Sequence, residues 1–504
     1  MRKTEKRICD AFFAKMDRLG LGLSYGEVLM KTGYSEILPA GVLLQTRFSR
    51  NVSLNIPIIS SPMDTVTEAE MAIAMAKLGG LGIIHKGLSP EKQASAVETA
   101  KHNLSAFLPD PICIQADQTV AEVLEFVKKK NFRFLSFPVK NESGELIGVA
   151  TSSHFEFCPN NSMRISDVMS REIVSAPEGT TVDQAYKIMM QRRIKILPIF
   201  GRRKEFKGIY TLSDVRRIVR GHSPDYNLAP DGTLRVGAAI GVGDDARQRM
   251  ELLARAKIDV VVVDTAHGDS KGVIETVKFC KREYPQIDVV AGNISEPKSA
   301  RDLAKAGADG VRVGQGPGSI CTTRIVTGAG CPQVTSVHGC AKALRGSGVS
   351  VCADGGIEYS GYITIALAAG ADCVMLGKLL AGTTESTGDV IYRHDKKQVK
   401  VYRGMGSLGA MRENKASRAR YGQADNPDDK LVPEGIESEV DYKGDVSFIV
   451  FQLLGGLRSG MGYCGAENIA DLQKKADFRR ITADGIKESH PHGLENIKKA
   501  PNYG

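Results

Sequence analysis

Eight short apolar runs, each closing on small or polar residues, do most to limit what this chain can fold into. They are Pro57-Ile-Ile-Ser-Ser61, Leu81-Gly-Ile-Ile-His85, Arg235-Val-Gly-Ala-Ala-Ile240, Asp259-Val-Val-Val-Val-Asp264, Asp288-Val-Val-Ala-Gly-Asn293, Gly310-Val-Arg-Val-Gly314, Val349-Ser-Val-Cys-Ala-Asp354 and Asp372-Cys-Val-Met-Leu-Gly377. Helix-like segments such as Ala246–Arg255 and Lys298–Ala306 lie between most of them. Runs buried on both faces and alternating with helices predict an α/β fold with a parallel sheet, and the count of eight favours a closed (β/α)8 barrel of the TIM type over a doubly wound open sheet. A chain of 504 residues has room for a barrel of about 250 residues and a further module. In such a barrel the strand C-termini form the reactive face. Those ends carry Asp264, Asn293, the loop from Gly314 to Cys321, Asp354 to Gly356, and Gly377.

The alternation breaks between the second and third runs. Residues 106–226 hold a weak internal repeat instead: Asp117-Gln-Thr-Val120 leads through a helical run to Gly148-Val-Ala-Thr151, and Gly179-Thr-Thr-Val182 leads likewise to Gly208-Ile-Tyr-Thr-Leu-Ser-Asp214. Each unit reads strand, helix, strand, strand. The organisation is therefore a barrel in two parts, 1–105 and 227–504, around an insert at 106–226, with loop-like crossings near Ser105 and Asn227. The repeat resembles a tandem pair of CBS domains (a Bateman module), and the resemblance implies purine nucleotides in the clefts. In the second repeat Thr211 and Asp214 match the positions that meet phosphate and ribose, while the first has Thr151 but His154 in place of the acid. An insert used only for assembly is the alternative.

The loop Gly314-Gln-Gly-Pro-Gly-Ser-Ile-Cys321 is where a nucleophile is expected. Its glycines let the backbone pass close to a ligand, and Ser319, Thr322 and Thr323 give Cys321 a polar setting suited to a thiolate. The other nine cysteines are scattered singly with no Cys-x-x-Cys pair, so neither a zinc site nor a disulfide framework is indicated. No apolar run approaches 18 residues, and Met1–Arg7 is followed by no signal-peptide core. A cytoplasmic protein is expected. The net charge of +9 is spread over short clusters, Lys128–Lys130 and Arg202–Lys204, with only 6% aromatic residues. Anionic small ligands account for it better than nucleic acid or a membrane.

Taken together the barrel loops resemble the IMP dehydrogenase family over nearly the whole chain. The motifs are Ser60-Ser-Pro-Met-Asp-Thr-Val66, Gly316-Pro-Gly-Ser-Ile-Cys-Thr-Thr323, Ala353-Asp-Gly-Gly-Ile357, Tyr402-Arg-Gly-Met-Gly-Ser-Leu-Gly-Ala-Met411, Arg420-Tyr421, Leu431-Val-Pro-Glu-Gly435 and Glu488-Ser-His490. The resemblance implies that Cys321 adds to C2 of IMP, that hydride passes to NAD, and that the resulting covalent thioimidate is hydrolysed. It assigns the water-activating base to Arg420 on a mobile flap at about 390–435, with Tyr421 and Thr323 in the proton network. Read from the residues alone, Arg420 is a phosphate clamp, because an arginine ordinarily stays charged. The resemblance gives Asp354 the ribose hydroxyls. It gives the 5′-phosphate to Ser319, Gly355, Gly356, Gly377, Lys378 and Tyr402, and the base to Gly404, Met405, Gly406 and Glu434, with Arg403 also in the substrate-binding set. Asp264, Gly314, Gln315 and Gly316 become the NAD contacts, with NAD extended over the barrel mouth because no Rossmann fingerprint is present.

The same resemblance implies potassium held by carbonyls of Gly316, Gly318 and Cys321 together with Glu488, Ser489 and His490 of a neighbouring subunit, hence a homotetramer, or an octamer paired through the insert. Two positions depart from the pattern, Lys378 where serine is common and Gln315 where the loop is often apolar, and near the N-terminus Gly26-Glu27 stands in place of paired acids. GMP reductase, which shares barrel, cysteine and nucleotide pocket, is the nearest alternative. A flap carrying Arg420-Tyr421 favours the dehydrogenase, because only that reaction has a hydrolytic half.

Overall fold

The computed structural model describes residues 7–104, 107–109, 111–129, 135–219, 225–496 and 500–502. The expected crossing at Ser105, Lys130 of the basic cluster, and Met1 to Lys6 lie outside the described residues. All eight apolar runs form strands: β1 Ile58–Ser60, β2 Leu81–Ile84, β3 Gly237–Ile240, β4 Val260–Asp264, β5 Asp288–Ile294, β6 Gly310–Val313, β7 Ser350–Asp354 and β8 Cys373–Leu376. They close into one parallel barrel in chain order. The ring shuts through β8 on β1, with Met375 opposite Ile59, and β2 meets β3 with Ile83 opposite Gly237.

Burial on both faces explains why these strands read as unbroken apolar runs. Val260 and Val262 join Ile59, Leu81, Ile83, Ala239, Val290 and Cys352 inside the barrel, whereas Val261 and Val263 pack outward into the larger core shared with the helices. That outer layer includes α1 Ala69–Lys77, α2 Pro90–His102, α3 Asp244–Arg255, α4 Lys271–Glu283, α5 Pro297–Ala306, α6 Gln333–Leu344 and α7 Ser360–Ala369. At the strand N-termini a hairpin, Thr46–Arg47 with Ser53–Leu54, places Phe48 in the interior cluster. Aspartates entering the strands are tied down there. Asp288 accepts from Ser49 Oγ at 2.6 Å and Asn51 N at 2.8 Å, Lys101 meets Asp259 at 2.5 Å, and Lys281 meets Asp309 at 2.8 Å. This end of the barrel is built for stability and leaves the other for chemistry.

The chain divides into two compact units, 1–103 with 225–504, and 104–224. The smaller holds two sheets: Ile114–Gln115, Phe137–Lys140 and Leu146–Ala150 in one, and Ala176–Pro177, Ile196–Phe200, Phe206–Thr211 and Phe107–Leu108 in the other. Each repeat therefore has strand, helix, strand, strand order, and each buries its own apolar cluster. Past β8 in the larger unit, Ile391–Tyr392, Gln398–Arg403 and Glu437–Asp441 form an antiparallel sheet. Two short helices, Leu408–Glu413 and Lys415–Arg420, lie between its second and third strands. All ten cysteines are free thiols, and among the described residues no helix is long and apolar enough to cross a membrane.

Candidate active site

The loop after β6 begins with a turn that only glycine tolerates. Gly314 has φ +147°, and a Cβ there would sit 2.0 Å from the carbonyl oxygen of Asp354. The chain is thereby pressed against the end of β7 before it crosses the barrel mouth. Arg324 fastens the far side, donating to the carbonyl of Gln315 at 2.8 Å and of Cys331 at 2.5 Å. Cys321 N closes a turn on Gly318 O at 3.0 Å, so the cysteine sits at the head of a short helical segment, Thr323–Thr327.

A second strand of chain lies along this loop. Thr322 N donates to Glu434 O and Ile436 N to Ile320 O, both at 3.0 Å, which brings Glu434 beside Cys321. The Cys321 thiol donates to Thr323 Oγ1 at 3.1 Å, and that hydroxyl donates to Glu434 Oε2 at 2.8 Å. Thiol, hydroxyl and carboxylate thus form one continuous hydrogen-bonded path.

The opposite wall is a buried charge cluster. Arg312, in the middle of β6, reaches Asp264 at the end of β4 (2.5 Å) and Asp354 at the end of β7 (2.8 Å). The pairing of β5 with β6 shifts register between Gly292 and Ile294, and this bulge turns Asn293 inward to donate to Asp354 Oδ2 and Gly314 O, each at 2.7 Å. Arg420 closes the cluster with an ion pair to Asp264, while its carbonyl accepts from Ala266 N at 3.2 Å. Burial works to raise the Asp264 carboxyl, but the cations of Arg420, Arg312 and Lys86 outweigh it and hold the group well below the usual carboxylate range. For Arg420 burial acts to lower the guanidinium and Asp264 to raise it, and the carboxylate wins.

Between these walls lies a cavity of about 250 Å³. Of the residues singled out from the sequence, Gly314 to Gly316, Gly318, Ser319, Cys321, Thr323, Asp354 to Gly356, Gly377, Lys378, Tyr402, Gly404, Met405, Arg420, Tyr421 and Glu434 line it. Gly377 allows close approach: a Cβ would lie 3.0 Å from Met63 Sδ and 3.1 Å from Tyr402 Oη. Burial pushes the Tyr402 hydroxyl up to about 12, so it stays a neutral donor. Lys378 meets Glu358 at 3.4 Å on the same rim.

Other expected residues lie elsewhere. Arg403 pairs with Asp64 and Glu413, each at 2.7 Å, and braces the turn behind Met63 instead of facing the cavity. Gly406 sits under the ring of Tyr421. Asp264 is only 1% exposed, so its carboxylate is not open to a ligand while Arg420 occupies it. Arg420 is correspondingly paired with the Asp264 carboxylate. Glu488, Ser489 and His490 close the helix Ala483–Glu488 outside the cavity, with His490 against the Tyr359 ring at 5.7 Å. In the smaller unit Thr211 Oγ1 donates to Asp214 at 2.6 Å, and Thr151 N donates to His154 Nδ1 at 2.9 Å, so both pairs cap the helices they precede.

A family profile described as IMP dehydrogenase / GMP reductase domain matches residues 22–492. The chain belongs to this family. It is 46% identical over 484 residues to the inosine-5′-monophosphate dehydrogenase of Halalkalibacterium halodurans, covering 96% of this chain and 98% of the relative. It is 47% identical over 485 residues to that of Aquifex aeolicus, covering 96% and 97%. Among solved structures it resembles a GMP reductase variant from Trypanosoma brucei in complex with guanosine 5′-monophosphate, at TM-score 0.83 and 38% identity over 94% of this chain and 98% of that one. Within this family's barrel, Arg312 and Lys86 escaped the sequence reading. Arg312 left a signal, a lone cation inside an apolar strand run, which in a closed barrel demands buried carboxylates on both sides. Lys86, in the turn after β2, left none.

Proposed function

We propose that the chain oxidises IMP to xanthosine 5′-monophosphate with NAD as hydride acceptor, through a covalent adduct on Cys321. The observation that carries this reading is the convergence, in one cavity, of the Cys321–Thr323–Glu434 path with an arginine and tyrosine delivered from a separate segment of chain. Thiolate addition to purine C2 makes a tetrahedral centre, and loss of hydride from C2 to NAD leaves the thioimidate. Water then adds to C2 and the thiol departs, so each turnover yields one NADH and one proton. The Thr323–Glu434 carboxylate is placed to take the thiol proton. Asp354, fixed by Arg312 and Asn293, suits the ribose hydroxyls, and Ser319, Tyr402, Lys378 and the glycines at 355, 356 and 377 suit the phosphate.

The docked position of Arg420 divides the reaction in time. Arg420 and NAD both call on Asp264 in this reading, so NAD must have left before Arg420 and Tyr421 reach the adduct. On Asp264 the guanidinium is held protonated, and service as a base requires the adduct's water to compete with that carboxylate. The donors present fit potassium in part: Gly316, Gly318 and Cys321 offer neutral carbonyls from one tight loop, and Glu488 to His490 of a neighbouring copy would complete the cage and tie the loop to a tetramer. The insert, with Thr211 and Asp214, is assigned as a tandem CBS sensor of purine nucleotides.

GMP reductase is a second reading because the structural likeness to such an enzyme extends over nearly the full chain. Incubation with IMP, NAD and potassium separates the two. Formation of NADH and xanthosine 5′-monophosphate supports the dehydrogenase, whereas failure there with NADPH-dependent ammonia release from GMP establishes the reductase.

A further inference from the structure

The turn after β2 carries a buried lysine that none of these steps uses. Lys86 is 4% exposed, and its Nζ donates to the main-chain oxygen of Asp264 at 2.7 Å. The turn is rigidly held: Arg249 of α3 donates to the carbonyls of Lys86 (2.9 Å) and Leu88 (3.0 Å), and Gln93 of α2 to those of Ile84 and His85 (both 3.2 Å). The flap lands on the same turn. Asn414 Nδ2 donates to Gly87 O at 2.5 Å while Arg420 engages Asp264. Lys86 therefore lies where the flap, β2 and β4 meet.

Charge makes this placement consequential. With Arg420 docked, three cations (Lys86, Arg312 and Arg420) face two carboxylates, Asp264 and Asp354. Of the other charged groups around Lys86, Arg249 is paired with Asp245 at 2.8 Å on α3, and Glu68, which hydrogen-bonds His85 at 3.2 Å, is itself 43% exposed to water. One positive charge is in excess in a site withdrawn from water, and arginines do not release protons readily. Burial and the Arg420 charge bring the Lys86 ammonium down to about 8 against the pull of Asp264.

We propose that Lys86 is a positioning residue for the flap: in the alkaline range docking of Arg420 on Asp264 is coupled to loss of a proton from Lys86 to solvent, so the charge on Lys86 sets how firmly the flap competes with NAD for Asp264. This rests on the roles given above to Arg420 and Asp264. When Arg420 leaves, one repelling cation is gone and Asp264 is free to stabilise the ammonium, so the open-state pKa lies above the docked one. Docking is accordingly insensitive to pH below about 8. It strengthens as pH rises through that value, and levels off at the open-state pKa.

The test is the KM for NAD of the full-length enzyme at saturating IMP and potassium, from about pH 7 to about pH 9.5, beside the initial burst of NADH that reports hydride transfer. In the wild type KM should stay flat and then rise, by up to about tenfold per pH unit, as the strengthened flap displaces NAD. Lys86→Met, which carries no proton, should give a high, pH-independent KM. Lys86→Arg, always charged but still able to donate to Asp264 O, should give a low, pH-independent KM, with the burst kept. A flat wild-type profile, or a wild-type rise persisting in Lys86→Arg, overturns the proposal. Should Lys86→Met unfold, the Lys86→Arg profile decides alone. The base assignment of Arg420 is read from adduct hydrolysis in Arg420→Ala, so the two ideas fail independently.

Discussion

At the scale of single residues, the site is a contrast between one side chain left available and several locked in place. Cys321 is partly buried on the cavity wall, where its thiol meets Thr323 Oγ1 and the Glu434 carbonyl. Cys321→Ala removes the proposed nucleophile but none of the proposed phosphate or ribose contacts. NADH production and the covalent adduct should vanish while IMP binding, followed by calorimetry, stays within a few-fold of the parent. Appreciable turnover by this variant would refute covalent catalysis. Arg312 is the opposite case, a side chain 5% exposed between carboxylates that are 2% and 14% exposed. Arg312→Met takes from Asp354 the cation it pairs with and unmakes two buried charge-assisted hydrogen bonds, so it should lower unfolding stability by about 3–5 kcal/mol. Urea denaturation checks this, and a loss below about 1 kcal/mol would mean that water already reaches the cluster.

At the scale of elements, the strands were legible and the docking of the flap was not. Each barrel strand is buried on both faces, so its sequence is a continuous apolar run that announces itself. The bulge that turns Asn293 inward has no such signature, because a one-residue register shift depends on the neighbouring strand. The docking of Lys415–Arg420 on Asp264 was likewise hidden. Its partners lie more than a hundred residues away in sequence, and residue type alone suggested a phosphate contact. This geometry argues for a specific separation of half-reactions. Arg420→Ala should still transfer hydride, giving a burst of about one NADH per site. Adduct hydrolysis should then be slower by about 10²–10⁴-fold, the usual loss for a general base. Rapid-mixing fluorescence of NADH distinguishes the two phases. An absent burst together with weakened IMP binding would return Arg420 to the role of a clamp.

At the scale of the whole molecule, the question is whether the smaller unit is a dispensable sensor. The larger unit does not depend on the insert for its closure, since β2 pairs directly with β3 across the interruption, Ile84 opposite Ala238. The two ends of the interruption are also tied together within the barrel unit: Lys101, two residues before the exit, donates to Thr233 Oγ1 at 3.3 Å, and Asn227 on the return anchors to Gly80 O at 2.9 Å. A short Gly/Ser linker replacing residues 104–224 should therefore leave the barrel folded, with IMP and NAD turnover within about tenfold of the parent. Any response to adenine or guanine nucleotides should disappear, because coupling needs a second site and a state that it biases. Asp214→Ala should weaken that response less completely, since it removes one carboxylate from the better-matched repeat and leaves the unit in place. Turnover measured with and without added purine nucleotides reads both variants. A linker variant that retains its nucleotide response would place regulation in the barrel and remove the sensor role from the insert.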